Sequence, residues 1–233
     1  MDRPSSTPQQ RTPSRAALVP AARLSGWVDR FTASHGALVE EDDDDGAMLL
    51  RAADGAMLLR AADGATALLR APWPVDGRPG RGATDIERLA SLATQERGLG
   101  LLLVRRGGFA IAVASGTKVL ESKSGNRYVQ SRTSAGGQSQ QRFARRRSSQ
   151  ADSLVDSAAE HAARIFSGHR VEYIVPGGDK ALVEQVLGRP SMRGMAGRTQ
   201  LAFLDVQDPK TAVLAKAAGD ACSIRILVTD SSK

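Results

Sequence analysis

The sequence predicts an α/β (α+β) protein: a mixed β-sheet flanked by helices, preceded by an N-terminal helix and a small β-meander. Three observations lead there. From Thr84 onward the hydrophobic periodicities alternate as helix, three or four strands, helix, strand, helix, strand, helix, strand. The 233 residues are 41% hydrophobic and 24% charged, which is ordinary for a globular chain and excludes wholesale disorder. A nine-residue repeat before that region carries Asp-Gly turn signals between short apolar runs.

Residues 1–20 are rich in Pro, Ser, Thr, Gln and Arg, and a disordered tail is expected there. Leu24, Trp27, Val28 and Phe31 fall at helical spacing, with Gly36 as the stop. An acidic run follows, Glu40 to Asp45. DGAMLLRAA then occurs at 45–53 and 54–62, and a looser copy, DGATALLRA, at 63–71. Nine residues are too few for a helical solenoid unit. Antiparallel strands with Asp-Gly turns fit better, with helix as the alternative because Ala, Leu, Met and Arg favour it. The helix and meander occupy 21–75.

The Pro/Gly-rich stretch 72–82 places a linker at 76–83, and a second domain is expected over 84–233. Thr84 and Glu87 form a capping box for a helix buried through Ile86, Leu89, Ala90 and Ala93. Strands are expected at 98–106, 108–116, 117–125 and 127–133, then a helix from Ser139 to Phe166. Strand 171–178, helix 180–188, a basic loop 189–198, strand 201–206, a helix opening at Pro209 and strand 222–230 complete the chain. Gly107-Gly108 reads as a hairpin turn, Gly177-Gly178 as a loop, His161 as a solvated helix residue and Cys222 as a core thiol.

Charge narrows the function. Thirty-two Lys+Arg face 25 Asp+Glu, a formal +7. Between Ser122 and Ala151 there is no acid, while Lys123, Arg127, Arg132, Arg142, Arg145, Arg146 and Arg147 bring seven cations. Removing those seven leaves 25 cations against 25 acids, so the whole excess sits in this window. Such a field attracts a polyanion, RNA above all in the cytoplasm, the expected location. Aromatics at 4% argue against a broad base-stacking surface. One cysteine excludes an internal disulfide, and three scattered histidines offer no metal-ligand pair, so no cofactor or metal is expected. No apolar stretch is long enough to span a membrane, and no secretory signal is evident.

Within the window, Gly136 and Gly137 precede Gln138, Gln140 and Gln141 at a helix start. Glycines let backbone approach a ligand, and the first N–H groups of a helix face outward. A glutamine amide is no base or nucleophile, but it can orient water and stabilise an oxyanion. Arg142, Arg145, Arg146 and Arg147 then oppose the helix macrodipole, a conflict that a phosphate backbone would relieve. No nucleophile-elbow pattern accompanies Ser148, Ser149, Ser153, Asp152 or His161.

The run GGQSQQRFARRR at Gly136–Arg147 resembles the bacterial branch of the Vms-like release factors, peptidyl-tRNA hydrolases of the archaeo-eukaryotic release-factor superfamily. The resemblance extends from about Thr84 to Asp230. It implies a release-factor catalytic domain that hydrolyses the ester between nascent peptide and tRNA on stalled large subunits. Peptidyl-tRNA and large-subunit rRNA are then the partners, and the protein is expected to be a monomer. The glutamine would orient the attacking water, helped by the 2′-hydroxyl of the tRNA terminus. Gly136-Gly137-Gln138 spells the Gly-Gly-Gln of the best-known release factors. The Vms-like Gly-x-x-Gln register is Gly137-Gln138-Ser139-Gln140, so the resemblance favours Gln140, with Gln138 second. A tRNA 3′-end nuclease on the same scaffold, or a non-catalytic RNA-binding module, are the alternatives.

Overall fold

The computed structural model describes residues 14–39, 56–74, 77–126 and 138–231, with residues 138–149 described as backbone only. In chain order the elements begin with β1 (Ser14–Val19), α1 (Leu24–His35), β2 (Met57–Arg60), β3 (Thr66–Arg70) and α2 (Asp85–Ala93). Next come β4 (Gly98–Arg105), β5 (Gly108–Ser115), β6 (Lys118–Asn126), α3 (Gln138–Ser167) and β7 (Tyr173–Gly178). Last are α4 (Lys180–Leu187), β8 (Thr199–Gln200), α5 (Thr211–Ala221) and β9 (Ile224–Thr229). They form two compact units, Met1–Ala93 with Ser223–Lys233, and Thr94–Cys222.

The first unit is an antiparallel sheet of order β1-β9-β3-β2. Its inner face buries Val19, Met57, Leu59, Ala67, Leu69, Ile224 and Ile226 against Leu24 and Phe31 of α1 and Leu89 and Ala93 of α2. Trp27 stacks on Phe31 with ring centroids 5.4 Å apart. The second and third repeat copies form the β2–β3 hairpin, so the strand reading holds for them; the first copy lies outside the described residues. At the turn, the Asp63 carboxylate accepts the Ala65 N–H at 2.8 Å and meets His35 Nδ1 at 2.9 Å. Both contacts hold its pKa below the ordinary value, the backbone bond foremost. The capping box is present: Thr84 Oγ1 accepts the Glu87 N–H, and Glu87 Oε2 accepts those of Thr84 and Ala83.

Two expectations fail here. The end of the expected disordered tail is strand β1, because residues 224–229 from the far end of the chain supply its partner. Cys222 caps the carboxyl end of α5, half-buried, instead of opening the last strand. Burial raises its thiol pKa to about 11.

The second unit is a mixed sheet of order β6-β5-β4-β7-β8, with β4, β7 and β8 parallel and β4, β5 and β6 antiparallel. Its core joins Leu102, Val104, Phe109, Ile111, Val113 and Ile174 to α3 and α4. α3 crosses closely over β4 at Gly100, where an added Cβ would lie 3.1 Å from the Phe166 ring.

Four local readings are corrected in this unit. Residues 201–206 form no regular strand: β8 is two residues long and a single bridge joins Leu204 to Gly177. Pro176 on the neighbouring strand has no N–H to continue the ladder. α5 starts at Thr211 with an extended Lys210 at its cap, so Pro209 precedes the helix. The expected loop 189–198 holds a 3₁₀ turn, Pro190–Met195, whose Met192 is fully buried in the core. Gly177 and Gly178 end β7 instead of forming a loop. The expected strand 127–133 lies outside the described residues.

Gly178 has φ +98°, and a Cβ there would sit 2.2 Å from the Val104 carbonyl oxygen. Gly178→Ala should therefore lower stability by at least about 2 kcal/mol, through backbone strain and displaced packing. Thermal or urea unfolding of the two proteins measures it.

Candidate functional site

The candidate site lies where β6 hands the chain to α3. Among the described residues β6 is an edge strand, and its last residue, Asn126, pairs with Gly108 at the start of β5. A bulge between Val113 and Ala114 shifts the register lower down. Ser124 Oγ and Thr211 Oγ1 meet at 2.9 Å, tying this end of β6 to the start of α5. Lys123 is exposed on β6. Arg127, Arg132, Gly136 and Gly137 lie outside the described residues.

α3 opens at Gln138, so Gln138 and Gln140 are its first and third residues and no acid stands in its first turn. Arg142, Arg145, Arg146 and Arg147 follow in the next two turns. The helix is long because the segment lacks Gly and Pro from Gln138 to Ser167. Among its described side chains, Leu154, Val155, Ala158, Ala159, Ala162, Ile165 and Phe166 are buried. At 1.5 Å per residue, Gln140 stands about 21 Å along the axis from Leu154. The glutamines and arginines thus precede that stripe along the same helix.

Polar contacts that the sequence does not reveal hold the second half of α3 and the neighbouring elements. Glu121 on β6 accepts from Arg164 Nη1 at 3.1 Å and pairs with His169 Nε2 at 3.1 Å. Asp156 pairs with Arg189 Nε at 2.9 Å. His161, expected in solvent, is half-buried beside Phe109, with ring centroids 5.7 Å apart. Arg105, at the end of β4, donates to the Val206 carbonyl and to Gln207 Oε1 at 2.6 Å. These are positioning residues. Glu121 stands 43 residues from Arg164 and 48 from His169, so no local spacing joins them.

Among the described residues no group of three or more His, Cys, Asp or Glu could hold a metal ion. No described helix is long and apolar enough to cross a membrane. The chemistry on offer at the start of α3 is neutral amides, outward backbone N–H groups and dense positive charge. That set can bind phosphates and orient a water, and it supplies no strong base.

The bond from His169, and then Arg164, holds the Glu121 carboxyl below its ordinary pKa of 4.5. A lowered carboxylate pKa stabilises the fold above the unfolded value, and the gain is lost as pH falls through the folded one. Glu121→Gln should lower the Tm at pH 7, and the gap to wild type should close as pH drops below about 4.5. Thermal melts across that range measure it.

One family comparison matches this region. The model described as Actinobacteria/chloroflexi VLRF1 release factor aligns with residues 97–227. That span is more than half of the 233 residues, from just before β4 into β9, with α3 and its approach inside it. No curated protein matches the chain. A release-factor family domain gives a release-factor-like function in translation, with ribosome and tRNA as the implied partners. The chain therefore belongs to the Actinobacteria/chloroflexi VLRF1 release factor family, acVLRF1.

Proposed function

We propose that the protein is a peptidyl-tRNA hydrolase. It cleaves the peptide–tRNA ester on stalled large ribosomal subunits in the cytoplasm, acts as a monomer and uses no metal or organic cofactor. The observation that carries this reading is the Gly137-Gln138-Ser139-Gln140 sequence at the start of a thirty-residue helix, inside a release-factor family domain.

The chemistry follows from the residue types. An aminoacyl ester is already activated, so a positioned water suffices as nucleophile. The Gln140 amide orients that water toward the carbonyl carbon, with Gln138 as the second candidate. Backbone N–H groups of Gly136, Gly137 and the first helical turn favour the tetrahedral oxyanion. The C–O bond to the tRNA breaks, and its 3′ oxygen takes a proton relayed through the neighbouring 2′-hydroxyl. Arg127, Arg132, Arg142, Arg145, Arg146, Arg147 and Lys123 hold RNA phosphates beside the loop.

The decisive experiment is release from purified large subunits carrying peptidyl-tRNA, with the tRNA resolved on a gel. Wild type should free the peptide and leave full-length tRNA. Gln140→Ala should reduce release by about 10²-fold or more while binding persists. A shortened tRNA would instead mark a nuclease, and tight binding with no release would leave an RNA-binding module.

Binding itself has a separate test. Arg145→Ala and Arg146→Ala should each weaken subunit binding and reduce the slope of log affinity against log salt by about one. A titration series from low to physiological salt measures it.

A further inference from the structure

We propose that Arg106, in the turn between β4 and β5, is a further RNA-contact residue that holds a backbone phosphate beside the glutamine run. The inference rests on the reading that RNA passes this end of the domain, and it adds a residue from outside the acid-free window. Arg105 pairs with Gly108 across the hairpin, so Arg106 and Gly107 alone make the turn. Gly107 has φ +102°, which a glycine adopts freely. Gly108 in turn pairs with Asn126, the last described residue before the glycine–glutamine run. Two Cα steps of about 3.8 Å and one ladder step of about 5.5 Å place the Arg106 Cα within about 13 Å of the Asn126 Cα.

Close packing fixes this turn against β6. A Cβ on Gly108 would lie 2.9 Å from Asn126 Oδ1 and 3.0 Å from the Gly125 carbonyl oxygen. One on Gly125 would lie 2.6 Å from Phe109 Cζ. The two glycines therefore let the hairpin and the end of β6 approach closely. On its other side the hairpin is tied down by Arg105, which donates to the Val206 carbonyl and to Gln207 Oε1. The residue presented by this rigid support is a cation.

The acids brought to this end of the sheet are already engaged. β4 and β7 are parallel with Val104 opposite Gly178, so Asp179 follows at the same end, and the Arg105 bonds bring residues 205–208 there. Asp179 Oδ1 accepts the N–H groups of Ala181 and Leu182. Asp205 Oδ1 accepts from Gln207 Nε2 at 2.7 Å, and Asp208 pairs with Lys210 at 2.6 Å. Arg106 is exposed and joins no hydrogen bond or ion pair among the described residues. Its planar guanidinium is the donor best matched to a phosphate, which it can meet with two parallel N–H bonds. Lys123, exposed on β6 three residues before Asn126, adds a second cation to the same field. An acidic protein fits less well, because the turn has no apolar side chain of its own to anchor a protein contact.

Binding assays on the full chain test the proposal, with deacylated tRNA, protein-free rRNA extracted from large subunits, and intact large subunits as probes. Arg106→Ala should weaken binding to at least one protein-free RNA by about fivefold or more at low salt. It should also lower the slope of log affinity against log salt by about one. Arg106→Lys should keep the wild-type slope, and both variants should melt with wild type, because the side chain is exposed and unpaired. Loss on tRNA assigns the phosphate to the substrate, and loss on rRNA alone assigns it to the ribosome; either supports the proposal. An unchanged slope in Arg106→Ala overturns it, as does a loss of binding that comes with a lowered melting temperature. A defect on intact subunits with none on either protein-free RNA also overturns it, by assigning the contact to a ribosomal protein. None of these readouts involves ester cleavage, so a wild type that binds but releases no peptide sinks the hydrolase reading and leaves this test standing.

Discussion

Seven apolar residues on one stripe of α3, from Leu154 to Phe166, are the contact on which the family domain depends. They cover the strands that carry Leu102, Val104, Phe109, Ile111 and Val113, and they seat Phe166 against Gly100. Burial at this density gives the helix one position and one direction. The described stripe lies in the second half of a thirty-residue helix, and the glutamines and arginines lie in its first half. The Glu121 contacts to Arg164 and His169 and the Asp156–Arg189 pair hold the same half of α3 by charge.

The first half of α3 carries an electrostatic conflict. Four arginines follow the first turn of a helix whose amino terminus already bears partial positive charge, and no acid there offsets them. In isolation that arrangement costs stability. Under the proposed function, an RNA phosphate backbone would offset it. Under the proposed function, neutral glutamines at the start of α3 fit the same setting, since a carboxylate would be repelled by RNA and a lysine would bind phosphate instead of orienting water.

The first unit shows how far a sequence-local reading reaches. Its hairpin was legible from Asp63-Gly64, a turn pair between apolar runs of matching length, and its α2 start from Thr84 and Glu87. β1 was not, since Ser-Arg-Ala-Ala-Leu-Val has little pattern of its own and becomes a strand only against β9. The same holds for 201–206, which has a strand-like composition but faces Pro176. Met192, in a basic glycine-containing stretch, is buried because α3 lies over it.

The sequence by itself determined the chemistry: the acid-free basic window, the glycine–glutamine run and the helix that follows them. These are local properties, set by residue type and spacing over a few tens of residues. Tertiary structure alone decided where that chemistry is held. The pairing of residues 14–19 with 224–229 and the Glu121 contacts join positions far apart in the chain. Their energies come from packing and from opposite charges brought within bonding distance, and such proximity has no signature in local sequence.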